Sequence, residues 1–126
     1  MSNIIVAFND QFQEFVNHIQ NIFPNDIDIL TTKNALIAAR KANPKIIVKI
    51  WKKCIVDKYK TEIESGNIDF FINKDYSIDI TTKNSDKIIS AINRLREPIK
   101  DMNKENQIKT MKYIQILTKM ACFCEL

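Results

Sequence analysis

The chain has 126 residues, of which 45% are hydrophobic and 27% are charged, a balance typical of one folded domain rather than of a disordered chain. One glycine and three prolines are too few for the many tight turns of an all-β sandwich, so helices are favoured. The net charge of +4 is unevenly distributed: residues 40–60 hold eight basic residues and one acid, whereas residues 62–79 hold five acids and one lysine.

A first helix is predicted between residues 10 and 23, where apolar residues recur every three or four positions. Asn9 or Asp10 is its predicted cap, and Pro24 ends it. The apolar run over residues 4–8 is too short to classify by its period. It is either a strand or a first helical turn packed beneath this helix.

A second helix is predicted over residues 32–42, after a polar turn at residues 25–28. Its close-packing side is expected to consist of Ala35, Ala38, Ala39 and Ala42. A third helix is predicted over residues 44–64, because Asn43 is a good N-cap and Pro44 is favoured at the first helical position. Gly66 is placed where a left-handed C-cap would lie. The buried side of this helix is expected to contain Ile47, Ile50, Trp51, Cys54 and Ile55.

Residues 76–82 alternate with period two, which predicts one short extended segment. A helix resumes near residue 85, and Pro98 is expected to kink or break it. Asn103 is the predicted cap of the last helix, whose buried line is expected to be Ile108, Met111, Ile114, Leu117 and Ala121. These patterns predict an all-α fold, a single compact domain over residues 1–126 with about five to six helices in a bundle.

Five lysines step along the third predicted helix on the side opposite Trp51. We call this set the lysine face; it consists of Lys45, Lys49, Lys52, Lys53 and Lys60. Its ammonium groups either neutralise the phosphates of a nucleic acid, with binding that weakens steeply in salt, or form a solvated contact surface whose stems cover apolar side chains. No aromatic or glycine-rich RNA-reading motif accompanies the lysines, which favours the second interpretation.

An acidic block follows the lysine face directly, with Glu62, Glu64, Asp69, Asp75 and Asp79. Its spacing matches no calcium-binding loop, so no metal site is predicted. We expect Glu62, Glu64 and Asp69 to form an acidic docking face that complements the lysine face within the fold, between copies or with a partner.

No motif for catalysis or cofactor binding is recognisable in this sequence. A single glycine excludes the phosphate-cradling loop, the dinucleotide fingerprint and the nucleophile elbow, because each needs at least two. Cys122 and Cys124 fall short of the four ligands of a zinc site and are expected to be reduced thiols. His18 has no nucleophile or acid near it in sequence and is interpreted as a boundary residue of the first helix. We therefore predict no catalytic residue, cofactor or metal.

Three cysteines without framework spacing, and a start that lacks the basic segment of a signal peptide, predict an intracellular protein. The longest apolar run, over residues 4–8, is far short of the roughly 20 residues that span a membrane. No membrane contact is therefore expected.

Several short runs carry a resemblance to a known group of proteins. They are Lys41-Ala42-Asn43-Pro44-Lys45, Ile50-Trp51-Lys52-Lys53, Asp69-Phe70-Phe71, Lys74-Asp75-Tyr76-Ser77, Arg94-Leu95-Arg96-Glu97-Pro98-Ile99 and Lys112-Tyr113-Ile114-Gln115. Together, over residues from about 8 to 120, they resemble an uncharacterised family of small helical proteins encoded by giant (nucleocytoplasmic large) DNA viruses. The resemblance implies a location in the infected host cytoplasm or the virion, and it brings no catalytic residues.

Two functions are favoured by these patterns over a third, a small hydrolase that would use carboxylates such as Asp69 and Asp75. The leading hypothesis is a non-enzymatic interaction or structural protein, a minor virion component or viral-factory adaptor, that associates with a protein partner or with itself through its charged faces. The alternative is a nucleic-acid-binding module whose lysine helix over residues 44–64 lies along a phosphate backbone without reading bases.

Overall fold

The computed structural model describes residues 2–66 and 94–124, and every regular element in these two ranges is helical. The elements are α1 (Ser2–Ile22), α2 (Ile27–Ala42), α3 (Ile46–Trp51), a π-helical segment (Lys52–Val56), α4 (Asp57–Glu64), α5 (Arg96–Asp101) and α6 (Lys104–Cys122). The predicted all-α fold is confirmed. The extended segment predicted at 76–82 and the helix start predicted near 85 lie outside the described residues.

The first helix is longer than predicted. Because α1 begins at Ser2, the apolar run over residues 4–8 is helical and its interpretation as a strand is wrong. Phe8 is fully buried and extends the apolar face of Phe12 and Phe15 by one turn, which explains why the helix continues. Asn9 therefore lies inside α1 and does not cap it.

The second helix begins five residues before its predicted start. Oδ1 of Asp26 accepts hydrogen bonds from the backbone N–H groups of Asp28 (2.9 Å) and Ile29 (3.2 Å), so the supposed polar turn is an N-cap. The packing side of α2 is formed by Ile29, Thr32 and Leu36. The predicted alanine side is wrong, because Ala35, Ala38 and Ala42 are exposed and Ala39 is half-buried.

The third predicted helix corresponds to α3, the π-helical segment and α4, which follow one another without a loop. Within α4, the backbone of Tyr59 is non-helical. The prediction of Asn43 as its N-cap and Pro44 as its first residue is wrong: α3 begins at Ile46 with Lys45 at the cap position, and Asn43 is the C-cap of α2. Oδ1 of Asn43 accepts a hydrogen bond from the N–H of Lys45 at 3.1 Å within the turn between the two helices. Gly66 ends α4 with a φ of +80°, the left-handed conformation predicted for the only glycine. Among the described residues, a Cβ at this position would meet Gln115 at 3.9 Å, an ordinary contact, so the backbone angle is what favours a glycine.

One of three expectations about the last helices is wrong. The break predicted beside Pro98 is present: Arg94 is helical, Leu95 forms a turn, and α5 begins at Arg96 with Pro98 in its first turn, where no N–H is needed. The chain breaks a second time at Met102, whose backbone is extended. Asn103 then caps α6 as predicted, accepting a hydrogen bond from the N–H of Asn106 at 2.8 Å. Ile108 is 53% exposed, because Thr110 rather than Ile108 occupies the inward position one turn before Ile114.

Trp51 lies at the centre of the core and is fully buried, as predicted. The rings of Phe12 and Phe15 meet it edge-on at centroid distances of 5.5 and 6.3 Å, and its Nε1 donates a hydrogen bond to Oγ1 of Thr118 at 3.2 Å. One side chain thus connects α1, α3 and α6. The side chain of Cys54, predicted to lie on the same face, is outside the described residues.

Polar contacts complete the attachment of α1 to its neighbours. Nδ2 of the buried Asn9 donates a hydrogen bond to the carbonyl oxygen of Pro44 at 2.8 Å, which ties α1 to the turn before α3. On the surface, Arg40 of α2 pairs with Asp10 of α1 at 2.7 Å. These contacts hold α1 against α2 and the turn before α3.

Replacing Trp51 by alanine is expected to lower the free energy of unfolding by about 3–5 kcal/mol, because it removes the largest buried side chain and leaves a cavity. Urea denaturation followed by far-ultraviolet circular dichroism measures the change. Phe123→Ala is the matched control: this aromatic side chain is 69% exposed, and its loss should change the stability by less than about 0.5 kcal/mol. Equal effects of the two substitutions would contradict the central position of Trp51.

Candidate interaction surfaces

Three members of the predicted lysine face form an exposed line along α3 and the π-helical segment. Lys45, Lys49 and Lys53 are all exposed, and each lies four residues, or about 6 Å of helical rise, from the next. We call this set the lysine row. It lies on the outside because Trp51 and Ile47 occupy the opposite side of the same helix.

Lys52 does not belong to this exposed line. It is half-buried, and its Nζ donates a hydrogen bond to the backbone carbonyl oxygen of Cys124 at 2.9 Å. A cation at this place satisfies a carbonyl group just beyond the C-terminus of α6, where the helix dipole is negative. Its nitrogen is therefore engaged in holding α6 against α3.

Lys60 is exposed but faces another surface. It lines a groove between α4 and α6, next to Lys119. The π-helical segment explains the difference: each of its hydrogen bonds closes a wider turn than in an α-helix, so every later side chain is rotated relative to the earlier ones. The predicted single lysine face is thus divided between two surfaces.

The predicted acidic face is only partly described. Glu62 is half-buried, Glu64 is exposed at the edge of the groove beside Lys60, and Asp69 lies outside the described residues. Arg40 and Asp10 form a surface ion pair between α2 and α1.

An unpredicted surface follows the outer side of α6. Ile108, Ile116 and Phe123 are exposed, and Lys112 and Lys119 lie between them along the helix. The sequence contains a signal for this surface, since these residues recur at steps of three and four. The sequence alone cannot assign these residues to an exposed surface, because the buried residues of α6 recur with the same period.

His18 lies at the contact between α1 and α6 and is half-buried. Its Nε2 is 3.0 Å from Oγ1 of Thr110, and its ring packs against Tyr113 at a centroid distance of 5.2 Å. The Thr110 hydroxyl also donates to the carbonyl oxygen of Asn106 at 2.8 Å. Burial lowers the pKa of His18; the backbone of Asn106 opposes this shift, and the charge of Lys109 adds to it. The interpretation of His18 as a boundary residue agrees with this packing.

The two described thiols differ in their surroundings. Cys122 is exposed, whereas Cys124 is buried and its Sγ lies 3.6 Å from the carbonyl oxygen of Met120. Burial raises the pKa of Cys124, against a smaller opposite effect of Lys52. Neither thiol forms a disulfide, and the described residues contain no group of three side chains placed to hold a metal ion.

No family model, curated protein or solved structure matches this chain. Among the described helices, none is both long enough and apolar enough to cross a membrane.

The lowered pKa of His18 predicts how stability depends on pH. The unfolded chain binds a proton near the ordinary histidine pKa of 6.5, whereas the folded chain binds it only at lower pH. The contribution of His18 to stability is therefore complete above pH 6.5 and is lost as the pH falls through the folded pKa. Urea denaturation at a series of pH values measures this loss, and His18→Gln should remove this part of the dependence. An unchanged pH profile in His18→Gln would contradict the assignment.

Proposed function

We propose that this chain is a non-enzymatic interaction protein that binds a protein partner through basic surfaces on a helical body. The lysine row is the observation on which this proposal rests. It places three ammonium groups on the outside of a helix whose other side is fixed in the core by Trp51. Such patches set encounter rate and orientation with an acidic partner.

The state of the reactive side chains supports a non-enzymatic role. His18 is engaged with Thr110 and Tyr113, and Cys124 is buried with a raised thiol pKa, which makes it a poor nucleophile. Catalysis by these groups would require them to reach a substrate, and their packing opposes this.

The proposed setting is the infected cell of a giant DNA virus. There the protein would act as a minor virion component or as an adaptor in the viral factory of the host cytoplasm. The sequence runs described above support this part of the proposal, and the contact surfaces are suited to either location.

Binding to nucleic acid is the second candidate, and the regular step of the lysine row favours it specifically. Three lysines whose positions are about 6 Å apart along the helix axis can follow a phosphate backbone. This mode requires no base contacts, so it would be independent of sequence and strongly dependent on salt.

Charge reversal of the lysine row tests the proposed function. Cross-linking mass spectrometry in infected cells or virions should join Lys45 or Lys49, and the nearby exposed Lys41, to acidic segments of the same protein partner in repeated experiments. The triple variant Lys45→Glu, Lys49→Glu, Lys53→Glu removes the first two reactive amines itself, so the readout is the loss of the cross-links at Lys41. The matched control Arg94→Glu, Lys100→Glu, Lys109→Glu changes the net charge equally at other exposed positions and should retain them.

Fluorescence anisotropy with single-stranded RNA and duplex DNA distinguishes the second candidate. If the lysine row contacts phosphates, the slope of log affinity against log salt should decrease by about 3 in the triple variant, one unit for each lysine. The control variant should keep the slope. Negligible binding at low salt would eliminate nucleic acid as the ligand, whereas tight binding with no protein cross-links would reject the protein partner.

A further inference from the structure

A groove runs along one side of α6 and is formed by two adjoining hollows. The first, of about 430 Å³, lies between α4 and α6 and extends from Lys60 to Phe123. The second, of about 320 Å³, extends from Gly66 to the first turns of α6. Gln115 lines both hollows. We call the two together the α6 groove.

The α6 groove is positively charged. Four lysines line it, namely Lys60, Lys104, Lys112 and Lys119. Glu64 is the one acid among the described residues of its lining. All four lysines are exposed, so their charges are available to a ligand in the groove. A ligand that fits this lining must carry negative charge along its length.

The same groove has an exposed apolar side chain near each end. Ile108 is 53% exposed in the second hollow, and Phe123 is 69% exposed in the first. They are 15 positions apart, which corresponds to about 22 Å along the helix axis. Both side chains line the groove, and apolar side chains in a groove are the contacts that helix-in-groove binding uses.

We propose that the α6 groove binds an acidic amphipathic helix of a protein partner, with its carboxylates facing the four lysines and its apolar side chains covering Ile108 and Phe123. This inference rests on the proposed function and names the surface and the chemistry of the partner. Helices that lie in a groove present apolar side chains at three- and four-residue steps. Over four turns such a helix covers the distance between the two anchors.

The lining favours a helix over two other occupants. A nucleic acid would satisfy the lysines but gives an aliphatic side chain such as Ile108 no apolar partner among its phosphates. A second copy of this chain, paired by a two-fold axis, would bring the four lysines of one groove against those of the other. An acidic helix satisfies both the charge and the apolar anchors.

A synthetic peptide provides the test. The probe is a helix of about 18 residues, about 27 Å long, with leucines along one face and glutamates elsewhere. Its control is a peptide of the same composition in which the leucines are distributed around the helix. Fluorescence anisotropy should show saturable binding of the probe to the full chain, and binding of the control at least about tenfold weaker.

Paired substitutions locate the binding site. Ile108→Ser with Phe123→Ser should weaken binding at least about tenfold, because each loses an apolar anchor. The matched control, Ile27→Ser with Leu30→Ser, removes two exposed apolar side chains from α2 and should leave the affinity unchanged. Lys112→Glu with Lys119→Glu should weaken binding similarly, whereas Arg94→Glu with Lys100→Glu, which changes the net charge equally outside both surfaces, should not. All the substituted residues are exposed, so the fold is retained.

Four outcomes would overturn the inference: no binding of the probe, equal binding of both peptides, equal effects of groove and control variants, or displacement of the probe by RNA. A dimer of the free protein that is altered by Lys112→Glu with Lys119→Glu would assign the groove to a second copy. Cross-links at Lys45 and Lys49 report on the proposed function separately. If these cross-links form but the peptide does not bind, only the α6 groove is rejected as a binding site. If the peptide binds but these cross-links do not form, only the lysine row is rejected as a binding surface.

Discussion

The burial of Trp51 between α1 and α6 is the contact on which the other surfaces depend. Its indole ring is enclosed by the edges of Phe12 and Phe15, and its Nε1 is satisfied by Thr118, so α3 cannot rotate about its own axis without leaving a buried donor unpaired. Because a helix has 3.6 residues per turn, fixing the direction of one side chain fixes the direction of all the others in the same regular stretch. The exposure of the lysine row is therefore a consequence of how the core is packed. The lysines contribute little to that packing themselves.

The π-helical segment ends the regular stretch in which Trp51 fixes the directions of the side chains. A regular α-helix would continue the line of Lys45, Lys49 and Lys53 to Lys60 with a similar direction, as the sequence pattern predicts. Instead, the wider turns between Lys52 and Val56 rotate the later residues, and Lys60 faces α6. One basic stretch of sequence thereby supplies two separate surfaces. The same segment places Lys52 beside the last carbonyl groups of α6, where it links the two surfaces through a hydrogen bond.

Features governed by local chemistry were predictable from the sequence, and features governed by tertiary contacts were not. Gly66 and Asn103 act at the predicted places, because a capping oxygen or a left-handed glycine affects only its neighbours in the chain. Asn43 ends α2 instead of capping α3, which begins at Ile46. The start of α2 and the packing side of that helix were missed, since an aspartate in a polar stretch is equally suited to a turn or a cap. Ile108 was misplaced because α6 has apolar residues on two sides, and only the packing against α1 shows which side faces inward. The α6 groove was unpredictable for the same reason, as it needs the position of α4 relative to α6.

The lysine row and the α6 groove differ in the kind of binding each can support. The row offers charge alone on an exposed helix, so its contacts are weakened by salt and act mainly on the rate of encounter. The groove combines four lysines with two apolar anchors in a concave surface that removes part of a ligand from water. Apolar contacts are not screened by salt, and buried anchors act mainly on the rate of dissociation. In the function proposed here, the lysine row would increase the rate at which an acidic partner is encountered, and the α6 groove would slow its dissociation. The packing of Trp51 against α1 and α6 supports both surfaces from the same core.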